Sequence, residues 1–302
     1  IPDGAWGSDS GYSEKPGDAK DVGGAYHLTE MFHPLESLET MEQILSLPWH
    51  DLHDPRWVAP IEDRSREIQR EGFVSTMGLE CSVFESSWYL RGMETLFMDL
   101  IEGNGIGDWL LDRMRDRSMV SARAFARAGG DLIRLGDDVG TQRGMMMSVP
   151  FWREHLKPRL AAIIDAAKGG FRNAPFIQYH SDGDVSDIVD DLVEIGVDIL
   201  NPVQPECMPI DEVAPRWKDR IAFCGMIGTQ TTMPFGSPND VREAVGNCER
   251  WIHEGARMIV SPTHVLEPDV PWENVVALAE AVGRIDPSGA ASPAARAADP
   301  AR

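Results

Sequence analysis

The chain has 302 residues, room for one large domain or two ordinary ones, and its 42% hydrophobic and 25% charged content is that of a globular protein. Its 49 acidic against 28 basic residues, a formal charge of −21, argue against a nucleic-acid partner, because phosphate binding needs a basic footprint. No apolar run nears the roughly 18 residues of a membrane span, and four cysteines (Cys81, Cys207, Cys224, Cys248) without a CxxC pair suit a reducing, cytoplasmic setting rather than a disulfide scaffold.

The first residue is Ile1 and no signal-peptide pattern comes after it, which reads as a processed chain or a fragment. Residues 1–71 read as an irregular, Gly- and Asp-rich segment with one short amphipathic helix starting near Leu38 that packs on the α/β region at 72–285. From 72 to 285, short β-branched runs alternate with helical patterns, the signature of βαβ units around a parallel sheet. Six strands are expected, at 72–76, 131–135, 176–180, 198–201, 221–225 and 257–261. Helices are expected at 88–101 and 150–168, the second with Ser148 as cap and Pro150 in its first turn. In DVSDIVDDLVEIG, Asp184 caps a helix, Val185, Ile188, Val189 and Leu192 share one face, and Gly196 ends it. Val275, Val276, Leu278, Ala279 and Val282 mark a last helix, and the Ala/Pro/Ser-rich residues 286–302 read as a disordered tail. Six strands are two short of a closed (β/α)8 TIM-type barrel. Either opening strands precede Ile1 or the sheet is open and doubly wound.

In parallel α/β folds the chemistry sits at the C-terminal ends of strands. Those ends offer Glu80, Asp137 and Asp138, His180 and Asp182, Asn201 and Gln204, Gln230, and His264. The adjacent acids Asp137 and Asp138 point oppositely if extended, so one of them faces a pocket, and the residues leave open which. Cys207 and Cys224 read as small hydrophobes, and Met145, Met146 and Met147 as core or pocket lining.

Several stretches together resemble the uroporphyrinogen decarboxylase superfamily, which includes cobalamin-dependent methyltransferases: HPLESLETMEQILSLPW, FESSWYLRGMETLFMDL, LGDDVGTQRGMMMSVPFWREHLKPRL, GVDILNPVQP, FCGMIGTQTTMPFGSPNDVREAV and SPTHVLEPDVPWENVVALAEAV. The resemblance implies a TIM-type barrel whose opening strand or strands lie before Ile1. Methyltransferases of the family carry His-x-Cys-Gly followed by a third metal ligand near the last strand. Here the motif stands as His180-Ser181-Asp182-Gly183, and the third position maps to His264. The resemblance thus implies a two-His, one-carboxylate site for Zn²⁺ or another divalent metal, a corrinoid as methyl carrier, and a small methylated donor or a corrinoid protein as partner. Asp138, Asp137 and Glu80 would then move protons or orient ligands, and Asn201, Gln204 and Gln230 would hydrogen-bond substrate. The decarboxylase branch implies no metal and a tetrapyrrole substrate, whose carboxylates Arg91 and Arg143 would hold. A third alternative is a non-catalytic corrinoid- or ligand-binding barrel.

Overall fold

A computed structural model of the chain describes residues 6–7, 13–16, 28–171 and 173–285. The expected tail at 286–302 lies outside the described residues. Six strands, labelled here in chain order, are β1 Thr76–Glu80, β2 Leu132–Gly136, β3 Phe176–His180, β4 Ile199–Val203, β5 Ala222–Ile227 and β6 Met258–Pro262. The helices are α1 Met41–Leu45, α2 Pro55–Arg70, α3 Phe84–Arg91, α4 Met93–Glu102, α5 Ile106–Arg127, α6 Val149–His155, α7 Lys157–Lys168, α8 Val189–Glu194, α9 Ile210–Trp217, α10 Thr232–Phe235, α11 Pro238–His253 and α12 Trp272–Val282. The six parallel strands alternate with helices, so the fold is α/β and matches the repeating unit of a TIM-type barrel. Before them lies a small antiparallel sheet of Trp6–Gly7, Ser13–Pro16 and Leu28–Phe32.

The chain divides into two compact units, the first comprising 1–138, 147–180 and 194–197, the second 139–146, 181–193 and 198–302. In the first, β1, β2 and β3 pair in parallel and in continuous register, with Glu80 opposite Gly136 and Gly136 opposite His180. Ile133, Leu135, Ile177 and Tyr179 from these strands are buried, and α5 packs along α7. A second cluster joins Leu35, Ile44, Leu90, Ile106, Leu110 and Met114. Each such side chain, fully buried, contributes about 1.5–3 kcal/mol. In the second unit β4, β5 and β6 pair in parallel, and Val241, Val245, Cys248 and Trp251 of α11 turn a buried stripe inward.

The sequence expectations hold for β3 to the residue and for β2, β4, β5 and β6 within two residues. The first strand is displaced by four residues. Gly72, at φ 83°, and Phe73 belong to the end of α2, where the Phe73 N–H donates to the Ile68 carbonyl. Phe73 and Val74 are therefore exposed, and the ladder begins at Thr76. The helix expected over 88–101 is two helices, α3 and α4, broken at Gly92, whose φ of 83° suits glycine. The one expected over 150–168 breaks at Leu156, ahead of Pro158, although Ser148 caps it as expected by accepting from the Phe151 N–H. Residues 1–71 contain α1, capped by a Thr40–Gln43 capping box, and also the sixteen-residue α2, which the sequence pattern does not announce.

Candidate functional site

The ends of the first unit's strands converge on a group of acids. Asp137 and Asp138 come directly after β2, and His180 ends β3. The two aspartates divide their roles. Asp137 is 1% exposed, and its carboxylate accepts the backbone N–H of Val83 and of Glu85, at 3.1 and 2.9 Å, capping the start of α3. Burial, reinforced by the neighbouring Glu85, pushes its carboxyl well above the usual aspartate range. Asp138 is partly exposed and turns toward His180, with Oδ1 3.8 Å from Nε2.

Glu85, which sequence reasoning does not single out, completes this group. Its Oε2 accepts the Asp138 N–H at 3.0 Å and its Oε1 accepts the Tyr89 hydroxyl at 2.9 Å. Burial raises its pKa, and the charge of Asp138 raises it further. Glu85 and Tyr89 stand four apart on α3, which places both on one helix face. That spacing is the one mark Glu85 carries in the sequence, since its first turn also holds the polar Ser86 and Ser87. Beside them Cys81 adopts a left-handed φ of 59°, and its thiol, pushed by burial to about 12, lies 3.8 Å from the Tyr89 hydroxyl.

In the second unit, Asp182 and His264 offer ligand atoms within 4.8 Å of each other. The turn that carries Asp182 is held tightly. The Gly183 N–H donates to Gln204 Oε1 at 3.1 Å, the Ser181 N–H donates to the Asn201 carbonyl at 2.9 Å, and Ser181 Oγ accepts the Val139 N–H. Gly140 passes so close that a Cβ there would lie 2.6 Å from the Asp182 carbonyl oxygen. Asp184 accepts the Ser186 N–H at 2.9 Å, closing an Asx turn and not the helix cap expected of it: the chain continues as a 3-10 turn, Ser186–Ile188, whose N-cap Val185 supplies no side-chain bond. One residue, Ser181, separates His180 from Asp182, and a two-residue step spans at most about 7 Å between Cα atoms. Imidazole nitrogens and a carboxylate oxygen form an N/O donor set that suits Zn²⁺ and other borderline to hard divalent ions. Cys207, the nearest thiol in sequence to this turn's partners, is pushed by burial to about 11 and remains a thiol.

The remaining expected residues fall elsewhere. Glu80 pairs with Arg134 on the neighbouring strand. Arg91 does not reach a substrate carboxylate: it is 3% exposed, its Nε lies 2.6 Å from Asp99 Oδ2, and it donates to the carbonyls of Leu35 and Leu38. Gln204 is buried under the Asp182 turn, whereas Gln230 is exposed and Arg143 lies in the exposed turn of the hairpin Gly140–Thr141/Gly144–Met145.

A family model for uroporphyrinogen decarboxylase (URO-D) matches residues 64–285. The chain belongs to that family. Among solved structures, a methyltransferase from Methanosarcina mazei is similar in fold, with a TM-score of 0.61 and 19% identity over 85% of this chain and 71% of that one. No curated protein sequence matches the chain. URO-D membership agrees with the alternation of strands and helices, and none of the described helices is long and apolar enough to cross a membrane.

Proposed function

We propose that this URO-D family chain is a metal-assisted methyltransferase, passing a methyl group between a small methylated substrate and a corrinoid, with His180, Asp182 and His264 as ligands of a divalent metal, Zn²⁺ by donor preference. The observation that carries the reading is the approach of the Asp182 carboxylate and the His264 imidazole, one residue along the chain from His180's neighbour Ser181. The methyltransferase among the similar structures supports it. When bound, such a cation supplies Lewis acidity that polarises a substrate heteroatom.

The chain's own residues then have defined tasks. Asp138, 3.8 Å from one ring nitrogen of His180, orients that imidazole in the way carboxylates orient metal-ligating histidines, and it serves as general acid or base. Glu85 fixes Asp138 through its backbone N–H, and Tyr89 fixes Glu85. Gln204 holds the turn bearing Asp182, and Gln230 and Arg143 remain exposed for polar contact with substrate or partner. A tetrapyrrole reading asks for cations to hold several carboxylates, and Arg91, one of two candidates, is committed to Asp99.

The test is the divalent metal content of the purified full chain and of His264→Ala and Asp182→Ala, followed by methyl transfer to and from cobalamin. A stoichiometric metal, lost in both variants along with transfer, is expected. Full metal retention in both variants, or porphyrinogen decarboxylation by the metal-free chain, would overturn the reading.

A further inference from the structure

Asp182 and His264, the two proposed ligands that the second unit carries, are tied to one and the same turn. Residues 204–208 come directly after β4 and fold tightly, with the Cys207 and Met208 N–H groups both donating to the Gln204 carbonyl, at 3.1 and 2.6 Å. One side of this turn holds the loop of Asp182: Gln204 Oε1 accepts the Gly183 N–H at 3.1 Å, and Met208 Sδ accepts the Val185 N–H at 3.5 Å. The other side meets the loop after β5. There Glu206 Oε1 accepts the Thr231 hydroxyl at 2.9 Å, and Gly228 passes so close that a Cβ on it would lie 3.0 Å from Glu206 Cδ and 3.1 Å from Pro205 Cγ.

The loop after β5 is bonded onward to the segment of His264. The Thr229 N–H donates to Thr263 Oγ1 at 3.3 Å, the two threonine hydroxyls lie 2.9 Å apart, and the Thr263 N–H donates to the Ile227 carbonyl at 2.9 Å. Thr263 is 4% exposed and directly precedes His264. Between these contacts the Met233 N–H donates to the Gly228 carbonyl at 2.9 Å, so Thr229 and Thr231 belong to one closed turn. Stability alone does not account for Glu206. Its Oε2 is buried with no hydrogen-bond partner, and a buried acceptor left unsatisfied costs folding free energy that an apolar contact between the two loops would not. What its other oxygen places is the better explanation.

We propose that Glu206 is a positioning residue of the metal site: through Thr231 and Thr229 it sets the segment of His264 against the turn that also holds Asp182, so that both ligand atoms meet at one ion. The proposal rests on the reading of His180, Asp182 and His264 as metal ligands. Contacts of this kind raise metal affinity because they fix the orientation of the ligands before the ion arrives.

The experiment measures Zn²⁺ affinity of the full chain by competition with a chromophoric chelator, the visible absorption of the Co²⁺-loaded chain, and backbone amide exchange of the metal-free chain. The variants are Thr231→Val, which removes the hydroxyl at nearly constant volume, Thr231→Ser, which keeps it, and the pair Glu206→Ala and Glu206→Gln. Thr231→Val and Glu206→Ala should bind Zn²⁺ about tenfold more weakly, the low end of the loss usual when a group that orients a ligand is removed, and should shift the Co²⁺ bands. Thr231→Ser and Glu206→Gln should match the parent chain in both. In the metal-free chain the Thr229 amide should exchange faster in Thr231→Val than in the parent or in Thr231→Ser. Parent affinity and parent bands in Thr231→Val and Glu206→Ala, or the same loss in all four variants, would overturn the proposal. A parent chain that takes up neither metal would overturn the metal reading instead, and amide exchange then decides on the link by itself: faster Thr229 exchange in Thr231→Val upholds it, and an unchanged rate overturns it.

Discussion

Arg91 and Asp99 have side chains only 4% and 5% exposed and meet at 2.6 Å, so each is a charge whose solvation depends on the other. Replacing Arg91 by Met leaves a buried carboxylate and two loop carbonyls without their donor, at an expected cost of about 3–5 kcal/mol, and Arg91→Met/Asp99→Leu should recover part of it. Urea midpoints of the parent chain and the two variants check this, and a loss under about 1 kcal/mol for the single variant would mean that the pair is solvated. Gly136 offers a second residue-scale test. A Cβ there would lie 2.6 Å from the His180 carbonyl oxygen and 2.7 Å from its Cβ. Gly136→Ala should therefore cost about 1–3 kcal/mol and shift His180, read as lowered metal retention beside a changed denaturation midpoint. At this scale the sequence is partly legible. His180, Asp182 and His264 stand out because strand ends and a motif mark them. Asp137 and Asp138 cannot be told apart in it, because the choice depends on the N–H groups of Val83 and Glu85, more than fifty positions away in the chain. Glu85 escapes notice for a related reason: an acid in a first helical turn reads as a dipole partner until its burial is known.

Helix α11 shows how an element converts periodicity into a measurable property. Val241, Val245 and Cys248 recur at helical spacing on its buried stripe, and burial pushes the Cys248 thiol from 9.0 up to about 12. A folded-state value above the unfolded one leaves stability intact below about pH 9 and removes it as pH rises toward 12, because the unfolded chain ionises first. Cys248→Val should flatten the alkaline decline between about pH 9 and pH 12 in denaturant titrations, and an unchanged slope would assign that decline to other groups. A strong period foretells burial better than helix type: Val185, Ile188, Val189 and Leu192 are each wholly buried, as their spacing requires, although the stretch opens as a 3-10 turn, Ser186–Ile188, before the short α8. The misplaced first strand has a local cause. Phe73 and Val74 have strand-like side chains, but the preceding glycine ends a helix whose own start, Asp54-Pro55, lies in a segment without an obvious apolar period.

Across the whole chain, a formal charge of −21 loads the compact state with self-repulsion. Sodium chloride raised from a few millimolar to about 0.15 M, where the screening length falls to about 8 Å, should increase the melting temperature. A decrease would mean that attractive pairs such as Arg159 with Asp108 and Asp112 outweigh the net repulsion. The parallel α/β character is legible at this scale because it comes from alternation alone, whereas the capping of α3 by Asp137 is not, since it joins residues 52 and 54 positions apart. That cap bears on the order of assembly. Helix α3 has no side-chain cap of its own, because Val83 at its N-cap supplies none. Its first amides gain their acceptor only once β2 lies beside β1 and delivers the Asp137 carboxylate. Glu85, Tyr89 and Arg91 all ride on this helix, so the acid group near His180 and the anchor at Asp99 are both tied, through one helix, to the pairing of β1 with β2.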